Sequence, residues 1–337
     1  LKHEALKNSN TPYSQLDPNL IIDALESIGY RCTGSLLALN SYENRVYQVG
    51  IEESTPLIVK FYRPYRWSNQ AILEEHQFAL ELVRHDITVV APLVLNLNQS
   101  LHEYQGFRFA VFPRQGGRTI ELDNLAHLAW MGRFIGRLHA IGACTPFRHR
   151  LKLDVQTYGY QPYEYLTQHD FIPTELKQHY DQIIKAVLQR IEQHFQQIGN
   201  LNYLRLHGDC HVGNVLWSDM GPRIVDLDDC LMGPAVQDIW MLISGNTQEE
   251  VSVQLNAILQ GYREFHDFNL AELQLIEALR SLRMIHYSAW LAKRWEDPTF
   301  PLNFPWFNTP RYWQEQLQSL TEQLNLLEQS SAVNVFI

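Results

Sequence analysis

Cysteine is scarce: Cys32, Cys144, Cys210 and Cys230 are the only four in 337 residues, with no C-x-x-C pair and no disulfide-framework spacing. That excludes a disulfide-stapled fold and points to a reducing, cytoplasmic compartment. Long apolar runs are missing too. No stretch approaches the roughly 18 to 20 uninterrupted apolar residues of a membrane-spanning helix, and the N-terminal segment lacks a signal-peptide apolar region. A protein with no membrane partner is expected. Basic charge is the third shortage, since 27 Lys and Arg face 37 Asp and Glu for a formal charge of -10. That acidity argues against a general nucleic-acid binder, which must neutralise many phosphates.

What is present is ordinary globular material, 45% hydrophobic and 19% charged, far from the composition of chains that stay disordered. The length suits one large or two modest domains. Residues 1–10 are set aside from the fold reading. The first third mixes periods: a helical pattern over Asp17–Ile28, strand-length runs at Ser35–Leu39, Arg45–Val49 and Leu57–Tyr62, a helical stretch over Ser68–Arg84, then strand-like Val89–Leu95 and Phe107–Phe112. This predicts a small antiparallel sheet with one long helix. Pro113 and the pair Gly116-Gly117 then punctuate the chain, and a boundary is placed after Phe112. Beyond it, helical patterns cover Asn124–Ile141, Pro173–Ile198, Gln248–Phe265, Ala271–Trp295 and Tyr312–Gln329. Leu204–Leu206, Val215–Trp217 and Arg223–Val225 are strand-like islands. The expectation is an α+β fold in two parts, residues 1–112 and a mainly helical 113–337.

The informative segment runs from Leu204 to Asp238: L-R-L-H-G-D-C-H-V-G-N-V-L-W-S-D-M-G-P-R-I-V-D-L-D-D, then C-L-M-G-P-A-V-Q-D. Asp209 and Asn214 share one loop, and a short hairpin over Val215–Val225 would carry Asp226 back beside them. Few oxygen ligands, with room for water and phosphate, is what Mg²⁺ requires when it bridges a nucleotide. Phosphoryl transfer also needs a carboxylate to orient the attacking hydroxyl and take its proton. Asp209 is read as that base, Asn214 as a magnesium ligand, and Asp226 as the catalytic carboxylate that binds magnesium at the phosphates. Two blander readings compete. His207, Cys210 and His211 have zinc-ligand chemistry but no second ligand pair at usable spacing, and Asp226, Asp228 and Asp229 taken alone suit a solvated turn.

H-G-D-C-H-V-G-N followed by V-D-L-D-D resembles the catalytic and metal-binding loops of the aminoglycoside-phosphotransferase and choline-kinase-like superfamily. Protein kinases share the arrangement with Arg in place of Gly208. N-S-Y-E-N-R-V-Y-Q at Asn40–Gln48, V-K-F-Y-R-P at Val59–Pro64, I-L-E-E-H-Q-F-A-L at Ile72–Leu80, G-P-A-V-Q-D at Gly233–Asp238 and N-F-P-W at Asn303–Trp306 resemble the bacterial stress response kinase A family. That likeness spans nearly the whole chain. It implies a two-lobed protein-kinase-like fold, with Lys60 gripping the ATP phosphates and a carboxylate of the following helix holding it; the inward face marked by Phe78 and Leu82 selects Glu75, Glu74 being the alternative. It also implies Ser41 at the ATP site, although the Asn40–Asn44 loop departs from protein kinases in having no glycine-rich pattern. The linker Phe109–Pro113, through Phe112, would meet the adenine. His139 reads as a buried core histidine under the catalytic loop, Asp238 as an acceptor for that loop's backbone, and the Trp290–Trp295 and F-P-W-F aromatics as packing.

The function implied is a magnesium- and ATP-dependent serine/threonine protein kinase with an unidentified protein substrate. The rival enzyme reading is a small-molecule kinase acting on choline, homoserine or an aminoglycoside, because the same parts serve both. A third reading, a pseudokinase binding module, sits poorly with intact Lys60, Asp209, Asn214 and Asp226.

Overall fold

The computed structural model describes residues 11–95 and 98–332; the segment 1–10 set aside above lies outside them. The chain divides into two compact units. One runs to Ile120 and takes in Gly213–Asp228; the other holds Glu121–Val212 and the chain from Asp229 onward.

In the first unit, helix α1 (Pro18–Ser27) begins where the Asp17 side chain accepts the Leu20 N–H, with Pro18 in the first turn where no donor is lost. Strands β1 (Cys32–Ala38), β2 (Arg45–Ile51), β3 (Leu57–Phe61), β4 (His102–Tyr104) and β5 (Phe107–Pro113) form one sheet in the order β1-β2-β3-β5-β4. Every pairing is antiparallel. Helix α2 (Asn69–Arg84) starts at Ser68, whose hydroxyl accepts the Ala71 N–H. Alternation along β3 sends Leu57, Val59 and Phe61 into a core shared with Leu20, Ile21, Ala24 and Leu25, the buried face of α1. Lys60 points the other way, and Tyr62, just past the strand, packs with Ile72 of α2 and Ala110 of β5.

The expected strand over Val89–Leu95 is not one. The segment bonds in turn to different partners, Val90 N–H to the Ile224 carbonyl (3.0 Å) and Leu93 N–H to that of Val111 (2.7 Å), and Pro92 has no N–H to extend a ladder. Of the later strands, β6 (Leu204–Leu206) and β9 (Leu231–Gly233) pair in the second unit, while β7 (Val215–Ser218) and β8 (Gly221–Ile224) make a hairpin in the first. That hairpin is stitched down by Ile224 N–H to the Thr88 carbonyl (3.1 Å) and by two bonds between Arg118 and Trp217.

The second unit is mainly helical: α3 (Leu125–Gly142), α4 (Gln161–Gln168), α5 (Thr174–Ile198), α6 (Val236–Trp240), α7 (Gln248–Tyr262), α8 (Ile276–Ala292), α9 (Thr299–Asn303) and α10 (Pro310–Ala332). The pattern read as one helix over Ala271–Trp295 opens with a 3-10 turn at Leu270–Leu275. There the Glu272 side chain is buried and accepts the Val236 N–H (3.1 Å), tying the turn to the start of α6. Helices α3 and α7 meet backbone to backbone. A methyl group on Gly132 would strike the Ile258 carbonyl, and one on Gly261 would strike that of Ala129. Among the described residues no helix is long and apolar enough to cross a membrane.

Gly132→Ala and Gly261→Ala should therefore each cost about 1–3 kcal/mol by forcing the helices apart, whereas Gly116→Ala, which meets open space, should stay within about 0.5 kcal/mol; denaturant melts measure all three. Burial pushes the Glu272 carboxyl up to about 7, against the opposing backbone bonds from Val236 and Ala235. The folded state holds a proton that the unfolded chain releases, so stability falls as pH rises from the ordinary glutamate range towards 7. Glu272→Gln should flatten that part of the melting-temperature profile.

Candidate active site

The alternation that turns Lys60 away from the α1 core aims its ammonium at α2 and at the end of the hairpin. Its Nζ lies 3.4 Å from Glu75 Oε1, 3.1 Å from Asp226 Oδ1 and 3.1 Å from Asp228 Oδ1. The Tyr62 ring sits 5.1 Å away. Burial alone would pull the ammonium down, but the three carboxylates outweigh it and hold Lys60 well above the usual lysine range. Of the two acids that the sequence offered on α2, Glu75 is the buried one that meets Lys60; Glu74 lies half-buried. Glu75 is held in turn by the helix phase that also buries Ile72, Phe78 and Leu82.

Asp226 lies two residues beyond β8. The hairpin closes with Val225 N–H donating to the Asn214 carbonyl (3.0 Å), which brings Asn214 and Asp226 to the same end of it. Asp226 has a positive φ of 60°, a conformation that aspartate tolerates better than most side chains. Its side chain is 53% exposed although its Oδ1 touches buried Lys60. One edge of the carboxylate is therefore committed to the protein and the rest faces solvent.

Ser41 is half-buried in the loop between β1 and β2. That loop is anchored at its far end, where Asn44 donates from Nδ2 to Asp228 Oδ2 (3.1 Å) and accepts the Arg63 N–H at Oδ1 (3.1 Å). Arg66 also binds Asp228. Phe112, half-buried on β5, pairs with Ile58 across the ladder and sets its ring 6.4 Å from that of His76, edge to face. Ser41, Lys60, Glu75, Phe112, Asn214 and Asp226 thus all belong to the first unit.

Asp209 belongs to the second. Its Oδ1 accepts from Arg283 Nη1 of α8 (2.7 Å), and His211 Nε2 lies 3.3 Å from its Oδ2. Burial pushes this carboxyl up, but His211 and the Arg283 guanidinium more than offset that and hold it well below the usual carboxylate range. The loop that carries it is fixed from beneath. Asp238 of α6 accepts the N–H groups of His207 (2.8 Å) and Gly208 (2.8 Å), and Gln237 donates to the Gly208 carbonyl (2.9 Å). Gly208 has φ 85°, and a side chain there would strike the Asp229 carbonyl; glycine is the residue that fits.

His139 is fully buried and bonded on both sides, Nε2 to Asp238 (3.1 Å) and Nδ1 to the Tyr262 hydroxyl (3.0 Å), the core histidine expected from the sequence. The zinc reading of His207, Cys210 and His211 finds no support: among the described residues no group of three or more His, Cys, Asp or Glu is placed to hold a metal by itself. Cys210 is buried, and burial together with Asp238 and Asp209 pushes its thiol well up. Sequence reasoning missed Asp228 and Arg283. Asp228 is one of three similar acids close together, and Arg283 sits 74 positions from Asp209 with no local motif to mark it.

A model of the phosphotransferase enzyme family matches residues 35–302. The chain is similar to stress response kinase A of Escherichia coli (strain K12), at 44% identity over 324 residues covering 96% of this chain and 97% of that one. It is equally similar to the serine/threonine protein kinase RdoA of Salmonella typhimurium (strain LT2), at 44% identity over 94% of this chain and 95% of that one. Among solved structures it is similar in fold to the amicoumacin kinase hAmiN in complex with AMP-PNP, Ca²⁺ and Ami, with a TM-score of 0.68 and 19% identity, covering 99% of this chain and 97% of that one. The α+β, kinase-like fold expected from the sequence is the fold these neighbours have. With a family match over most of its length and relatives this similar, the chain belongs to the phosphotransferase enzyme family, in its stress response kinase A branch, and is a phosphotransferase.

Proposed function

We propose that the protein is a cytoplasmic serine/threonine protein kinase that uses ATP and Mg²⁺. The observation that carries this reading is the buried Lys60 ammonium, held by Glu75 and touching the half-exposed Asp226. A cation fixed in that way is suited to phosphate oxygens, and its stem has no freedom to wander. The name of the Salmonella typhimurium relative, a serine/threonine protein kinase, supports a protein acceptor.

On this reading residues 1–112 and the hairpin supply the nucleotide-binding groups: Lys60 with Glu75 for the phosphates, Ser41 beside them and Phe112 for the adenine. The donor set fits magnesium. Asn214 offers an amide oxygen and Asp226 a carboxylate, hard oxygen ligands too few to cage an ion alone, which suits a cation that completes its shell with phosphate and water. When bound, that ion would neutralise charge on the phosphates. Asp209 is the proton acceptor: the acceptor hydroxyl oxygen forms the new P–O bond, the bond to the departing nucleoside diphosphate breaks, and the proton passes to the carboxylate. A small-molecule acceptor is the alternative, favoured by the substrates named for its structural neighbours, whose likeness at under 20% identity speaks for fold alone.

Labelled ATP offered with a generic protein or with small amino alcohols tests the acceptor; label in the alcohols alone would sink the protein-kinase reading. Asp209→Ala should lower kcat by about 10²–10⁴-fold, the usual range for a lost general base, while nucleotide affinity measured by titration calorimetry is largely kept. Asp226→Ala should instead weaken magnesium-nucleotide binding itself. Glu75→Gln and Lys60→Met, alone and together, should show a coupling of about 0.5–3 kcal/mol in nucleotide binding; strictly additive losses would mean that the two side chains act apart.

A further inference from the structure

One face of α8, continued just past its end, carries Arg280, Arg283, Tyr287, Trp290 and Arg294 at steps of three and four residues. Arg283 and Tyr287 are exposed and the other three half-buried, while Leu279, Leu282, Ile285, Ala289 and Ala292 are buried on the other side. Arg283 binds Asp209 at 2.7 Å yet its side chain remains 45% exposed. Tyr287 and Trp290 stack with ring centroids 5.6 Å apart and planes 15° apart, and the Arg294 guanidinium lies 5.1 Å from the Trp290 ring. Arg280 is bound to Glu277 (2.8 Å). The result is a basic and aromatic ridge in a chain whose formal charge is -10, and it passes the proposed proton acceptor.

An acceptor hydroxyl must come within hydrogen-bond reach of Asp209, and therefore within a few ångströms of the Arg283 charge. At that distance like charges repel and opposite charges attract strongly enough to change affinity roughly tenfold. We infer that Arg283 determines acceptor specificity: the substrate is an extended polypeptide segment whose Ser or Thr is flanked by acidic side chains, laid along the ridge from Arg283 to Arg294. At about 1.5 Å of helical rise per residue the ridge spans about 16 Å, the length of roughly five residues of extended chain. The stacked aromatic pair between the two arginines offers the flat apolar contact that such a segment needs along its middle. This inference rests on the protein-kinase reading and names its substrate class.

The test uses the full chain with Mg²⁺ and ATP and three peptides that share one central Ser, with Glu, Ala or Lys next to it and about five residues along on either side, the reach of the ridge in extended chain. The acidic peptide is expected to exceed the neutral one about tenfold in kcat/KM, and the basic peptide to be slowest. Arg283→Gln and Arg294→Glu should erase the preference chiefly through KM, and Arg283→Lys should restore part of it, whereas a purely structural arginine would lower all three peptides alike. Equal rates for the three peptides, or a preference for the basic one, would overturn the inference while leaving the kinase reading intact. Nucleotide turnover with label in amino alcohols and none in any peptide would overturn both.

Discussion

Everything proposed for the first unit depends on one ammonium kept charged inside it. Lys60 is buried, and a lone buried cation would be expelled or neutralised. Glu75, Asp226 and Asp228 prevent that, one from a helix and two from the chain just beyond the hairpin. Removing any one of them disturbs the match of charges, so the sheet, α2 and the hairpin end are bound to a common electrostatic balance. Asn44 and Arg66 extend that balance to the loop between β1 and β2 through Asp228.

The second unit solves a different problem, which is holding a loop rather than a charge. Asp238 occupies the backbone donors of His207 and Gly208, His139 occupies Asp238, and Tyr262 occupies His139. This chain of bonds ends on α7, whose approach to α3 is set by glycines with no room for a side chain. Helix packing and the orientation of Asp209 are therefore linked through atoms that have little freedom to adjust.

Much of this was legible in the sequence because short-range patterns encode it. The period-2 alternation of β3 fixes which way Lys60 points, the helical phase of α2 favours Glu75 over Glu74, and the two strand-like islands around the Asp219 turn return Asp226 towards Asn214. Other features depend on pairings that no local pattern carries. The apolar run Val89–Leu95 has strand composition, yet its backbone bonds are divided among Ile224, Val111 and Gln99. Asp228 cannot be told from its neighbours until Asn44 and Arg66 are seen to converge on it, and Arg283 gains its meaning only where α8 passes the Asp209 loop.

Beside Asp209 lies a thiol that takes no part in any of this. Cys210 is buried and its proton is held tightly by its surroundings, and it is the thiolate, not the thiol, that peroxides and electrophiles attack. The residue next to the proposed proton acceptor is thus chemically quiet, and an oxidising episode would reach the exposed Cys144 first.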